Sequence, residues 1–227
     1  MTCKGIWLVM YCVDRCEAAR RTGVSTVTLP SWASHLDYKL APPPLLLVQA
    51  FVNTLDLDLG ADMFARAEEA HAWLADAGLI DAASSAGPAS PGFASDLRLA
   101  RGIRESIGTL IAHHNGAGAL TEDERLVLEQ VGREGQPRLQ VAPDGQVRLE
   151  AEAPAGRVAG GLLGLLLIIR DAQADGSWDR LKLCGNPDCR WAFYDRSHSR
   201  RGAWCDMASC GNRLKNRNLR ARRAQLS

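Results

Sequence analysis

The chain has 227 residues, enough for one large domain or for one domain and a small module. Its hydrophobic content of 46% and charged content of 23% are those of ordinary globular proteins. This composition excludes a disordered chain, a collagen and a disulfide-rich miniprotein. The formal net charge of +1, taken as an average, argues against a basic nucleic-acid-binding protein.

The charges are distributed unevenly along the chain. Residues 45–183 carry a net charge of −8, whereas residues 184–227 carry +7 and residues 1–44 carry +2. An asymmetry of this size predicts two modules, of which the C-terminal one is suited to a polyanion.

Residues 1–44 show no sustained hydrophobic period and end in the run Pro42-Pro43-Pro44, which cannot continue a helix. We expect a poorly ordered N-terminal extension here, which could also reflect a start site assigned too early. A signal peptide over the apolar stretch at 6–13 is the less favoured alternative, because no small-residue cleavage site follows it.

Residues 45–176 are predicted to form a helical regulatory domain. Hydrophobic periodicity and stop signals such as Gly78 and Gly176 define its helices. A capping box begins the fourth helix at Thr121 and Glu124, and Pro143-Asp144-Gly145 predicts the turn of a β-hairpin over 139–152. The five helices are predicted over 45–57, 62–77, 93–115, 121–131 and 157–174. The expected fold class is mainly α with one β-hairpin.

The longest apolar run, Val158 to Ile169, has twelve residues and is closed by Arg157 and Arg170. A membrane-spanning helix needs about 20 apolar residues, so this run predicts a buried core helix and no membrane partner.

Four of the seven cysteines fall within 27 residues, as two C-x4-C pairs. Paired spacing of this kind is typical of a metal site, and four thiolates suit one structural Zn²⁺ with no open position for catalysis. Disulfides, free thiols, and His198 as a replacement ligand are the alternatives. A thiolate site favours a reducing cytoplasm. The predicted ligands are Cys184, Cys189, Cys205 and Cys210.

A basic segment follows the last cysteine. Arg213, Arg217 and Arg220 have the spacing of one helical face, and Arg is suited to phosphate and to guanine because its planar fork binds two acceptors. A run of charged residues is ordinarily a solvated surface. Here the charges of the run are positive and it adjoins a zinc knuckle, which favours duplex DNA as the partner. The predicted nucleic-acid contacts are Arg196, Arg200, Arg201, Arg213, Lys215, Arg217 and Arg220.

Together these residues resemble a known family. The Phe193-x-Asp195-x-Ser197 stretch, the Trp204-Cys205 pair and above all Cys210-Gly211-Asn212-Arg213 resemble the CGNR zinc finger. That finger is the C-terminal module of bacterial proteins with an N-terminal ABATE domain, which are described as stress-induced transcription regulators. Phe51-Val52-Asn53-Thr54-Leu55 is similar to the opening phrase of the ABATE domain.

The resemblance implies a small treble-clef-like or zinc-ribbon finger at residues 177–227, ending in a basic helix and bound to DNA in the bacterial cytoplasm at the nucleoid. It implies that the four cysteines are the ligands. It also suggests that residues 1–44 precede the usual start of the ABATE domain.

No catalytic motif is found in the sequence, so an enzyme is not expected. The leading hypothesis is a zinc-dependent DNA-binding transcription regulator whose helical domain senses a ligand or a stress signal. The alternatives are an RNA- or ribosome-associated zinc protein, and a protein–protein interaction module with no nucleic-acid role. A small-molecule effector and a homodimer are also considered. Candidate effector contacts are Asn53, Arg101, Arg104, His113, His114 and Asn115.

Overall fold

A computed structural model describes residues 29–81, 83, 87–116, 118–152 and 157–225. The described chain contains six α-helices and three antiparallel two-stranded sheets. The helices are α1 (Leu45–Val52), α2 (Ala67–Asp76), α3 (Pro91–His113), α4 (Glu122–Glu134), α5 (Ala159–Asp175) and α6 (Asn212–Gln225). The sheets pair β1 (Leu55–Asp56) with β2 (Ala61–Asp62), β3 (Pro137–Val141) with β4 (Val147–Ala151), and β5 (Leu181–Leu183) with β6 (Ala192–Tyr194).

The segment at residues 29–44 packs against the helices. Leu36 and Ala41 are buried in the main core, and Ser31–Ala33 forms a short 3-10 turn. The prediction of a poorly ordered extension is therefore wrong for residues 29–44. Apolar side chains of this segment pack in the core although they do not follow a regular hydrophobic period. Residues 1–28 of that predicted extension lie outside the described residues.

The first predicted helix ends earlier than expected. All eight residues of α1 are buried, and the helix ends at Val52. The Asn53 side chain that follows binds Ala192, and the Thr54 hydroxyl donates back to the Phe51 carbonyl. The chain then forms the β1–β2 hairpin, whose tip is closed by Gly60 with a positive φ of 65°. The sequence analysis missed this hairpin. It placed β1 within the first helix and Asp62 of β2 at the start of the second, which in the structure begins at Ala67.

The other elements follow their predictions. Helix α3 spans the predicted long helix, and the capping box of Thr121 and Glu124 begins α4. The β3–β4 hairpin forms around the predicted turn. Helix α5 ends at Gly176, whose left-handed φ of 75° closes it. None of the helices described is long and apolar enough to cross a membrane.

The short ribbon formed by β5 and β6 belongs to the core of the helices. Its residues Leu181, Leu183, Ala192 and Tyr194 lie in the same buried cluster as α1, α3 and α5. The four cysteines form a second, smaller cluster around Phe193, with Trp191 and Trp204 against it. The acidic and basic modules are therefore packed onto each other through the ribbon.

Candidate metal centre and basic helix

The four late cysteines meet at one point. Their Sγ atoms all lie within 4.8 Å of one another, and all four residues are buried. The Sγ of Cys205 is 3.7 Å from the Sγ of Cys189 and 3.7 Å from the Sγ of Cys210. In a tetrahedral zinc–thiolate site, Zn–S bonds of about 2.3 Å place neighbouring sulfurs about 3.8 Å apart. The sulfur positions therefore fit a single Zn²⁺.

Crowding opposes the simultaneous ionisation of the four thiols when no metal is bound. Hydrogen bonds from Cys189 and Cys205 lower the pKa of the Cys184 thiol. Those same bonds to Cys184 raise the pKa of Cys189 and Cys205. Four thiolates this close repel one another, and a divalent cation removes that repulsion. The exposed side chain of His198 is not part of the cluster, as predicted.

The two cysteine pairs lie at different places in the finger. Cys184 and Cys189 belong to the knuckle that joins β5 to β6. Cys205 precedes a π-helical turn, Met207–Gly211, and Cys210 lies within that turn, which leads directly into α6. A ribbon that carries the first knuckle and is followed by a helix gives the expected treble-clef-like finger, in which a metal held by the four thiols would fix the start of α6.

Local hydrogen bonds and close packing shape the second cysteine pair. The Asp206 carboxylate accepts from the backbone amides of Ala208 and Ser209 and so caps the turn. A Cβ added to Gly211 would lie 2.4 Å from the Sδ of Met207. Met207 is a flexible, 45% exposed side chain that can move aside, so this contact disfavours a larger residue at Gly211 without excluding one.

The outer edge of β6 is held by side-chain amides of α1 and the residue that follows it. Asn53 Nδ2 donates to the Ala192 carbonyl at 2.9 Å, and the Ala192 amide donates to Asn53 Oδ1 at 2.7 Å. Gln49 donates to the same carbonyl at 3.1 Å. The Tyr194 amide donates to the Lys39 carbonyl at 2.7 Å, so the segment at 29–44 completes this edge.

The outer edge of β5 is held by the C-terminal end of α3. His114 Nδ1 lies 2.8 Å from the Leu181 carbonyl, and Asn115 Nδ2 donates to the Leu183 carbonyl at 2.6 Å. The ribbon is thus clasped on both edges by side chains of the helical module. We call the residues Gln49, Asn53, His114 and Asn115 the clasp.

Five of the six polar residues considered as effector contacts bind other residues of the protein through their side chains. Arg104 is buried and binds Asp62 with both terminal nitrogens, at 2.6 and 2.9 Å, and also donates to Thr54. Arg101 donates to the carbonyl of Phe64. Three of the other four, Asn53, His114 and Asn115, bind the ribbon. Sequence reasoning marked them as unusual polar residues, but it missed Gln49, which lies within an apolar helix.

A buried ion pair anchors the linker between the cysteine pairs. Lys182 lies 3.3 Å from Asp195 and also donates to the Arg200 carbonyl, while Asp195 accepts from the amides of Ser197 and Gly202. Burial raises the pKa of Asp195, but these hydrogen bonds outweigh it and hold the pKa at about 2. The linker arginines therefore project from an ordered loop.

Some of the side chains predicted to contact nucleic acid already bind other groups of the protein. Arg196 donates to the Leu40 carbonyl and lies over the Tyr194 ring. On α6, Arg213 pairs with Asp58, and Arg217 pairs with Asp188 of the first knuckle. Among the described contacts, no side-chain ion pair is found for the exposed residues Arg200, Arg201, Lys215 and Arg220.

The fold and the site define a zinc-finger protein in which a helical module is joined to a C-terminal four-cysteine finger. Residues 180–223 match the CGNR zinc finger, and residues 46–174 match ABATE, described as "Putative stress-induced transcription regulator". The chain belongs to the ABATE family and carries the CGNR finger at its C-terminal end. A search of the curated proteins finds no match to this chain.

Proposed function

We propose that the protein is a zinc-dependent, DNA-binding transcription regulator that acts on duplex DNA at the bacterial nucleoid. Support comes from the family and from one structural observation. The predicted contacts of α6 and the linker are exposed, and they project from a scaffold fixed by four buried thiols. An arginine-rich surface suits phosphate recognition, because the planar guanidinium binds two phosphate oxygens at once.

The helical module is proposed to pass a signal to this surface through the clasp. Its side chains bind the ribbon directly, so a shift of α1 or α3 would move the finger. A shallow depression beside Trp73, lined also by Ser31 and Met63, is mostly apolar. A small-molecule effector and its place of binding stay predictions.

Binding to duplex DNA as a function of salt tests the proposal. Fluorescence anisotropy with a labelled random-sequence duplex should show affinity falling steeply, with a logarithmic slope of about −0.9 for each phosphate contacted. Replacing Lys215 and Arg220 with alanine should weaken binding and make that slope shallower. The matched control is Arg133→Ala, which removes an exposed arginine from α4.

Three outcomes separate the candidate functions. An enriched motif after selection from a random duplex pool supports a sequence-specific regulator. Tighter binding to folded RNA than to duplex DNA favours the RNA-associated alternative. Binding to duplex DNA that is absent or independent of salt rejects the proposal and leaves the protein–protein alternative.

A further inference from the structure

The arginine of the Cys-Gly-Asn-Arg motif is held by the helical module. Arg213 Nη1 donates to Asp58 Oδ1 at 2.5 Å, and Arg213 Nη2 donates to Asp58 Oδ2 at 2.8 Å. Asp58 lies at the tip of the β1–β2 hairpin, 155 residues away in sequence. Both terminal nitrogens of the guanidinium are therefore directed at one carboxylate.

This pairing uses the contact that a nucleic acid would need. Arginine binds phosphate, or the guanine edge, through the same two parallel N–H groups that it offers to a carboxylate. The Asp58 carboxylate also places a negative charge beside Arg213, which would repel a phosphate that approaches this side chain. The hydrogen bond from Arg213 lowers the pKa of Asp58, so the carboxylate stays charged at neutral pH.

We propose that Asp58 competes with DNA phosphate for Arg213, so that the β1–β2 hairpin tip inhibits the basic helix until it is displaced. This inference rests on the proposed function, since it assigns a regulatory contact to the same DNA-binding surface. It gives the helical module a direct means of controlling the finger.

The tip is built so that it can move at little cost. Its own hydrogen bond is local, from the Leu59 amide to Asp56, and the side chain of Leu59 is 80% exposed. The two charged partners are also partly exposed, at 54% for Arg213 and 32% for Asp58. Exposed ion pairs are weak, so phosphate or a movement of the hairpin can replace the carboxylate.

The pair between Arg217 and Asp188 provides a contrast. Asp188 belongs to the first cysteine knuckle, so both partners of this ion pair lie in the finger. The pair therefore cannot transmit a movement of the helical module to α6. Among the described residues, Asp58 is the one acidic side chain of the helical module that forms an ion pair with α6.

Duplex binding by the full chain tests the proposal with Asp58→Asn. The variant should bind roughly 3- to 10-fold more tightly, because it removes a competing ion pair and a repulsive charge. Its salt slope should steepen by up to about 0.9, one added phosphate contact. The control, Asp144→Asn, removes the same charge from the turn of the other hairpin and should leave affinity unchanged.

A double-mutant cycle ties the effect to Arg213. Arg213→Ala should weaken binding more in the Asp58→Asn background than in the wild-type chain, because only there is the guanidinium free. Equal affinity of Asp58→Asn and Asp144→Asn, or equal cost of Arg213→Ala in both backgrounds, overturns the inference while wild-type binding stands. If no form binds duplex DNA, the proposed function itself has failed and the inference falls with it. Unchanged thermal unfolding midpoints confirm that each variant is folded.

Discussion

The side-chain amide of Asn53 pairs with both backbone groups of Ala192, as a neighbouring β-strand would. Because β6 lies at the edge of a two-stranded ribbon, its outward amide and carbonyl need partners once they are buried. Asn53 supplies one donor and one acceptor in the required places, and His114 and Asn115 contact carbonyl groups on the other edge. A finger that would be small and unstable alone is thereby built into a larger core.

Asn53→Leu should lower the free energy of unfolding by about 2 to 3 kcal/mol. Leucine is similar in size, but it leaves the buried Ala192 amide without an acceptor. Urea unfolding followed by circular dichroism measures the change. Gln140→Leu, on the exposed face of β3, should have little effect. Equal stability of the two variants would contradict the role assigned to Asn53.

Removal of zinc should destabilise the whole chain. We expect one bound zinc per chain, its loss in Cys184→Ser, and retention in the control Cys12→Ser. Since the ribbon shares the core of the helices, chelation should lower the unfolding midpoint in one cooperative transition. Elemental analysis and calorimetry provide the two measurements. A metal-free chain whose helices unfold at the unchanged temperature would show that finger and helices are energetically separate.

Two helical glycines should respond oppositely to alanine. A Cβ on Gly161 of α5 would lie 2.1 Å from the Leu79 carbonyl oxygen, so Gly161→Ala should cost more than about 2 kcal/mol. A Cβ on Gly108 of α3 meets no atom within 4 Å, so Gly108→Ala should stabilise by about 0.5 to 1 kcal/mol. Chemical denaturation of the pair gives both values. Destabilisation by both substitutions would argue against the close approach at Gly161.

Stability should fall in mild acid because of His35. Burial lowers the pKa of its ring, against the hydrogen bond with the Ala50 carbonyl and the nearby charge of Asp37. The unfolded chain, with a histidine pKa of about 6.5, therefore takes up a proton first as the pH falls. The free energy of unfolding should decrease from about pH 6.5 down to the pKa in the folded protein and then level off.

Urea unfolding between pH 7.5 and 5 measures this dependence. His35→Gln should reduce it, because that side chain does not titrate. His113→Gln, which replaces an exposed histidine, should preserve it. If the two variants follow the wild-type curve equally, His35 is not the group responsible.

The sequence predicted the features that arise from local order. The spacing of the cysteines indicated the metal site because each pair closes a short loop on its own. The capping box at Thr121, the turn at Asp144 and the end of α5 at Gly176 depend only on neighbouring residues, and all three were found where expected.

Other features depend on residues far apart in sequence, and these were missed. The β1–β2 hairpin exists because Asp62 is held by Arg104 and Asn53 by Ala192, contacts that no local pattern contains. The segment at 29–44 has no period, yet it packs because the ribbon and α1 offer it a surface.

The distribution of charge shows both what the sequence predicts and what it does not. The sequence by itself determined that a basic zinc module follows an acidic helical module. Only the tertiary structure decided that the two share a core and that Asp58 lies on Arg213. The reason is physical: net charge and spacing are sums over neighbouring residues, whereas an ion pair depends on where folding places two side chains that are 155 residues apart.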